Sequence, residues 1–311
     1  MKNFTRLADV PHPEALIAEA EACQKNFWMP EVGRGKMLGM LFFNPSLRTR
    51  LSTQKAAANL GMDTMVMNAS SDGWKLEMQD GAIMDGDAQE HIKDAVHVMS
   101  QYCDILAVRT FPSLTDREAD YQEQVLSQFL AHAEVPVVSL ESAIRHPLQS
   151  LADVLTIRNQ GLNKPKIAVT WAPHPRSLPQ AVTNSFMEWS SLLDAEVVLA
   201  HPEGYDLHPE FAAHADRITH NQMEALEGAD IVYTKNWSAY GDYGQRLSVA
   251  EDWTVTAEKM AQTNQGKFLH CLPLRRNVVA TDAVVDASPV YTQARNRIFS
   301  AQAVLKTLLE S

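Results

Sequence analysis

Cysteine is scarce: three in 311 residues, at Cys23, Cys103 and Cys271. Thiols so few and so far apart make neither a disulfide framework nor a zinc cluster, and they suit a reducing compartment such as the cytoplasm. Long apolar runs are missing too. No stretch approaches the roughly 18–20 residues a membrane span needs, so no membrane partner is expected. The opening MKNFTRLADVPHPEA lacks the apolar core of a secretory leader. Positive charge is in deficit, with 27 Lys and Arg against 38 Asp and Glu and a formal net charge of −11. A nucleic-acid surface would need the opposite balance, although a small positive pocket for an anionic metabolite remains open. Low-complexity tracts and repeats of solenoid or propeller period are also absent. The expectation is a soluble, intracellular globular protein, long enough for two domains.

What is present is a recurring unit: a short apolar run, then polar residues with chemical capability. Lys36–Phe43 leads into Asn44-Pro45-Ser46, Asp104–Val108 into Arg109-Thr110-Phe111-Pro112, and Val135–Leu140 into Glu141 and Arg145-His146-Pro147. Lys166–Trp171 leads into Ala172-Pro173-His174-Pro175, and Glu196–Ala200 into His201-Pro202-Glu203. Asp230–Thr234 leads into Lys235-Asn236-Trp237, and Phe268–Leu269 into His270-Cys271-Leu272-Pro273. Runs rich in Val, Ile and Leu read as buried parallel strands. Helix-like stretches lie between them: Arg48–Leu60, Glu90–Gln101, Tyr121–Ala133, Pro179–Leu193 and Ser248–Gln262. Alternating strand and helix predicts an α/β fold of two domains, each a parallel sheet flanked by helices. Ligands then sit beyond the carboxyl ends of the strands, here in a cleft between the domains. The expected division is 1–145, 146–293 and a closing helix, 294–311, that returns to the first domain.

After the first strand, Pro45 and Ser46 read as a turn and helix cap, followed by Leu47-Arg48-Thr49-Arg50. A helix N-terminus offers free N–H groups and the positive end of its dipole, the natural seat of a phosphate. Ser46, Arg48, Thr49 and Arg50 add donors there, and arginine grips phosphate oxygens with a planar fork. The same pattern also fits an ordinary capped helix with solvated arginines. No G-x-x-x-x-G-K-[ST] loop and no G-x-S-x-G elbow occurs. Gly33-x-Gly35-x-x-x-Gly39 precedes a strand instead of following one, so it is a poor dinucleotide fingerprint.

Three motifs then stand in order. Ser46-Leu47-Arg48-Thr49-Arg50 resembles the S-x-R-T-R carbamoyl-phosphate motif of the aspartate and ornithine carbamoyltransferases. His146-Pro147-Leu148-Gln149 resembles their H-P-x-Q motif, and His270-Cys271-Leu272-Pro273 the H-C-L-P motif of the ornithine branch. The D-x-W-x-S-M-G loop of ordinary ornithine carbamoyltransferases is missing, and Lys235-Asn236-Trp237-Ser238-Ala239-Tyr240 stands in its place. With Gly73-Trp74-Lys75 and Met84-Asp85-Gly86-Asp87, that replacement is similar to the N-acylornithine carbamoyltransferases of arginine biosynthesis.

The resemblance implies a phosphate grip by Ser46, the Leu47 backbone, Arg48 and Thr49, closed by Arg297. Arg109, His146 and Thr49 would act on the carbamoyl oxygen. The backbone carbonyls of Cys271 and Leu272 would hold the carbamoyl amine, and Gln149 is a further candidate for binding carbamoyl phosphate. Trp74 and Gln89 would reach a neighbouring subunit's site in a homotrimer. Glu141, His174, Lys235 and Arg275, with Gln89, are the candidates for the N-acylornithine acceptor. No cofactor and no metal are expected: adjacent His270 and Cys271 have poor chelate spacing, and Asp85-x-Asp87 reads as an acidic turn.

Across these relatives the residue two places after Asp-Gly-Asp separates acyl types, with Glu in the acetyl form and Pro in the succinyl form. Gln89 is neither. Glutamine does not repel a succinyl carboxylate and can donate a hydrogen bond to it, which favours N-succinyl-L-ornithine over N-acetyl-L-ornithine. Ordinary ornithine transfer and a catalytically silent homologue are the remaining alternatives.

Overall fold

The structure, a computed structural model, describes residues 1–69 and 71–311. Two compact units emerge. The first comprises Met1–Ser113, Glu118–Leu148 and Arg297–Ser311; the second comprises Leu114–Arg117 and Gln149–Asn296. Among the described residues no helix is long and apolar enough to cross a membrane.

The first unit holds strands β1 (Met37–Phe42), β2 (Asp63–Asn68), β3 (Leu76–Glu77), β4 (Glu90–His91), β5 (Ile105–Arg109) and β6 (Val137–Glu141). Its main sheet runs β2-β1-β5-β6, entirely parallel, and β3 pairs with β4 as a separate ribbon. The second unit holds β7 (Lys166–Trp171), β8 (Glu196–Ala200), β9 (Arg217–Thr219), β10 (Ile231–Lys235) and β11 (Lys267–Leu269). They form one parallel sheet in the order β11-β10-β7-β8-β9. Helices on both faces explain why the central strands are apolar throughout instead of alternating. β5, β6 and β10 are buried at every residue. In each sheet the strand order reverses beside the first strand, between β1 and β5 and between β7 and β10. Loops diverge there and leave room for a ligand at the carboxyl ends.

Local chemistry sets the helix limits. The helix Arg48–Leu60 matches its expected span and ends at Gly61, which takes φ +80° and donates to the carbonyls of Ala57 and Ala58. A Cβ on Gly61 would lie 2.0 Å from the Pro30 carbonyl oxygen, so only glycine fits. Tyr121–Ala133 is not one helix: Arg117–Tyr121 and Gln124–His132 are separated by Glu123, which takes φ +48°. Ser248–Gln262 departs further, with only Ala257–Met260 helical. Val255 bridges to Ala280 in parallel, and Trp253 is buried beside it, so the apolar residues alternate along an extended segment. The Thr256 side chain then accepts from the Lys259 N–H and starts the short helix. The last helix, Val290–Leu309, begins earlier than the sequence suggests.

One buried histidine is expected to make the fold sensitive to acid. His201, only 1% exposed after β8, places Nδ1 2.9 Å from the Pro202 carbonyl oxygen. Burial, before any neighbour, holds its pKa below the usual imidazole range; nearby His220 acts in the same direction, while Pro202 and Asp206 oppose it. The unfolded chain therefore binds the proton first, and stability falls as pH drops through about 6.5 towards the folded value. Urea unfolding should show a midpoint that decreases from pH 7 to pH 5, less steeply in His201→Gln. Equal slopes in the two proteins would remove His201 as the source.

Candidate active site

At the carboxyl end of β1 the chain turns directly into the helix Arg48–Leu60. Its cap is Leu47 instead of Ser46, and no side chain caps it. A helix start at the carboxyl end of a strand suits an incoming anion. Arg50 lies over the Phe42 ring, its guanidinium carbon 4.8 Å from the centroid, and donates to Asn68. Arg48 and Ser46 flank the same turn, both partly exposed.

Around Thr49 the structure gathers residues from four parts of the first unit. Thr49, 1% exposed, accepts at Oγ1 from Arg109 Nη1 at 3.2 Å and from Arg297 Nη2 at 2.6 Å. Arg109 ends β5; its Nη1 also meets Glu141 Oε2 at 2.6 Å, and its guanidinium lies 4.4 Å from the Phe111 ring centroid. His146 Nε2 lies 3.6 Å from the same Glu141 oxygen and 3.5 Å from Arg297 Nη2. All five side chains are buried. Two guanidiniums, an imidazole, a hydroxyl and one carboxylate therefore share a pocket of low dielectric, where fixed donors act strongly on a developing negative charge.

Glu141 belongs to this cluster by contact. Sequence reasoning grouped it with His174, Lys235 and Arg275, which lie in the second unit. Each of those follows a strand end. Lys235 ends β10, and Arg275 Nε donates to His174 Nε2 at 3.2 Å. Burial lowers the His174 pKa first; Lys235, Arg275 and Arg176 add to the effect, against the Arg176 carbonyl. A neutral imidazole among three cations makes this strand-end region suited to carboxylates. The Lys235–Tyr240 segment is held firmly: Asn236 donates to the Ala172 carbonyl at 2.8 Å, and the Trp237 indole to that of Tyr205 at 2.7 Å.

Gln149, Cys271 and Leu272 also lie in the second unit, Gln149 and Cys271 buried and Leu272 at φ +56°. The Leu272 N–H donates to His270 Nδ1 at 2.9 Å, so the His270 ring serves its own loop. A buried carboxylate, Asp153, accepts from Gln149, Gln293 and Tyr233. Nothing in the linear pattern marked it, because it sits inside a helix with no exposed motif.

Trp74 and Gln89 stand outside these clusters, on an exposed loop of the first unit. Trp74 is 55% exposed and donates from Nε1 to Glu90 Oε2 at 2.8 Å. Lys75 pairs with Asp87, and the Gln89 N–H donates to the Lys75 carbonyl at 3.1 Å. The β3–β4 pair closes the base of this loop. Phe43, Gly73, Trp74 and Met78 help line a cavity of about 320 Å³ there.

Residues 2–159 match the profile of the aspartate/ornithine carbamoyltransferase carbamoyl-P binding domain, and residues 179–308 that of the Asp/Orn binding domain. The chain is 52% identical to N-succinylornithine carbamoyltransferase of Bacteroides thetaiotaomicron, over 100% of this chain and 99% of that one. It is 35% identical to N-acetylornithine carbamoyltransferase of Xanthomonas axonopodis pv. citri, over 99% of this chain and 96% of that one. A crystal structure of acetylornithine transcarbamylase complexed with acetylcitrulline superposes with a TM-score of 0.92 at 34% identity, covering 99% of each chain. With both family profiles matched in order and full-length relatives at up to 52% identity, the chain belongs to the aspartate/ornithine carbamoyltransferase family.

Proposed function

We propose that the chain transfers the carbamoyl group of carbamoyl phosphate to the δ-amine of N-succinyl-L-ornithine, giving N-succinyl-L-citrulline and phosphate in arginine biosynthesis. The observation that carries this reading is the buried set of donors around Thr49, next to a helix start that no side chain caps. In this reading the phosphate lies on Ser46, the Leu47 backbone, Arg48 and Thr49, with Arg297 closing on it. Arg109, His146 and Thr49 address the carbamoyl oxygen. The deprotonated δ-amine forms the new C–N bond, and charge grows on that oxygen, where fixed donors lower the barrier. The bond from the carbamoyl carbon to the phosphate oxygen then breaks; its electron pair leaves with phosphate, which can also take the amine proton.

His174, Lys235 and Arg275 suit the carboxylates of an acylated amino acid, which carries no α-ammonium charge. Glu141, beside Arg109 and His146, completes this set. Residues 1–145 and 294–311 serve carbamoyl phosphate, and 146–293 the acylornithine. The protein works as a cytoplasmic homotrimer in which Trp74 and Gln89 serve a neighbouring subunit. Exposed Leu47 at the helix cap, Leu51 one turn further on, and exposed Trp74 and Ile83 are apolar surface that such an assembly would cover.

Purified protein given carbamoyl phosphate and N-succinyl-L-ornithine, N-acetyl-L-ornithine or L-ornithine in parallel should form the ureido product fastest with the succinyl compound. Preference for N-acetyl-L-ornithine would replace the acceptor and the account of Gln89. Absence of product from all three would overturn the assignment.

A further inference from the structure

The second unit buries a carboxylate that none of these roles uses. Asp153, 0% exposed within the helix Pro147–Arg158, accepts at Oδ1 from Gln149 Nε2 and from Gln293 Nε2, each at 2.7 Å. Its Oδ2 accepts from the Tyr233 hydroxyl at 2.8 Å. The Tyr233 ring stacks on Phe186 at 3.8 Å, which fixes the direction of that hydroxyl. Burial, then the Asp153 charge, pushes the Tyr233 pKa well above its ordinary value, so the hydroxyl keeps its proton and donates.

A carboxylate can only accept, and that fact has a directional effect on both amides. Each glutamine must turn its NH₂ towards Asp153 and its oxygen away. The Gln293 oxygen then receives the His270 N–H at 2.9 Å, and this anchors the loop carrying Cys271 and Leu272. The Gln149 oxygen is buried and has no partner. A buried acceptor left unpaired is costly, and a ligand N–H would satisfy it.

We propose that Asp153 is a positioning residue: it sets the polarity of the Gln149 amide, so that an oxygen faces the carbamoyl NH₂, and through Gln293 it fixes the His270–Leu272 loop. The inference rests on the carbamoyl-phosphate reading above. It concerns recognition of the amine end of that substrate, not of its phosphate.

The two ends can be measured separately, because inorganic phosphate has no NH₂. Binding of carbamoyl phosphate and of inorganic phosphate should be titrated calorimetrically for the unmodified chain and for D153A, D153N and Q293M. In D153A the amides lose their acceptor, so carbamoyl phosphate should bind about tenfold more weakly. Phosphate should stay within about twofold, since no hydrogen bond to it is changed. Asparagine keeps an acceptor oxygen for the two glutamines, and its new NH₂ can donate to the Tyr233 oxygen. D153N should therefore recover most of the carbamoyl-phosphate affinity. If D153A does not fold, Q293M decides, because it keeps Asp153 and removes the acceptor of the His270 N–H; it too should weaken carbamoyl phosphate selectively. Equal loss for both ligands, or no loss for either, would overturn the positioning role. An unmodified chain that binds phosphate but not carbamoyl phosphate would instead overturn the carbamoyl reading.

Discussion

Alanine at Arg109 should lower turnover by about a hundredfold to a thousandfold, the usual consequence of removing one fixed donor from a developing oxyanion. The same change should cost about 3–5 kcal/mol of stability, because Glu141 is 7% exposed and would be left as a buried charge without its guanidinium. The two effects have different origins and can be pulled apart. R109A combined with E141Q should regain much of the stability, since the stranded charge is gone, while turnover stays low. Chemical unfolding and steady-state rates normalised to folded protein supply both readings. Lysine is no substitute, because a point charge on a flexible stem cannot reproduce one Nη1 shared between Thr49 and Glu141. Turnover of R109A within tenfold of the parent would remove Arg109 from the chemistry.

Glutamate at Gln89 should invert the choice of acceptor. The exposed loop holding Gln89 is fastened by its N–H to the Lys75 carbonyl and by the Lys75–Asp87 pair, so the side chain can change without rebuilding its support. A carboxylate at 89 would repel the distal carboxylate of a succinyl group and leave an acetyl group unaffected. At close range in a partly solvated site, that repulsion is enough for roughly a hundredfold change in the ratio of kcat/KM for the two acceptors. The carbamoyl-phosphate KM should not move. A ratio unchanged in Q89E would mean that this loop does not read the acyl group.

The parallel strands were legible because burial on both faces leaves near-continuous Val, Ile and Leu. β7 and β8 have the spans their apolar runs suggest. β2 was not, since Asp-Thr-Met-Val-Met-Asn lies at the sheet edge, only partly buried, and mixes polar residues with unbranched methionine. β9 is three residues long, too short for any period to show. Ser248–Gln262 misled because Trp253 and Val255 are also compatible with a helix, and only the bridge to Ala280, 25 residues away, makes them extended. Among the clustered residues, Glu141 was named from sequence but grouped with other side chains, and Asp153 was not named at all. Glu141 meets Arg109 across neighbouring strands, and Asp153 gains its role from Tyr233 and Gln293, 80 and 140 positions later. Such groupings exist only once the sheets have formed.

The bond between Arg297 and Thr49 closes a loop of 248 positions around an entire second unit. During synthesis, residues 149–296 therefore emerge and can fold while the first unit still waits for its last helix. A ribosome stalled just before residue 297 leaves a chain with the second unit complete and the Thr49 cluster without its Arg297 guanidinium. Chain order thus ties completion of the buried Thr49 cluster to the arrival of the last segment.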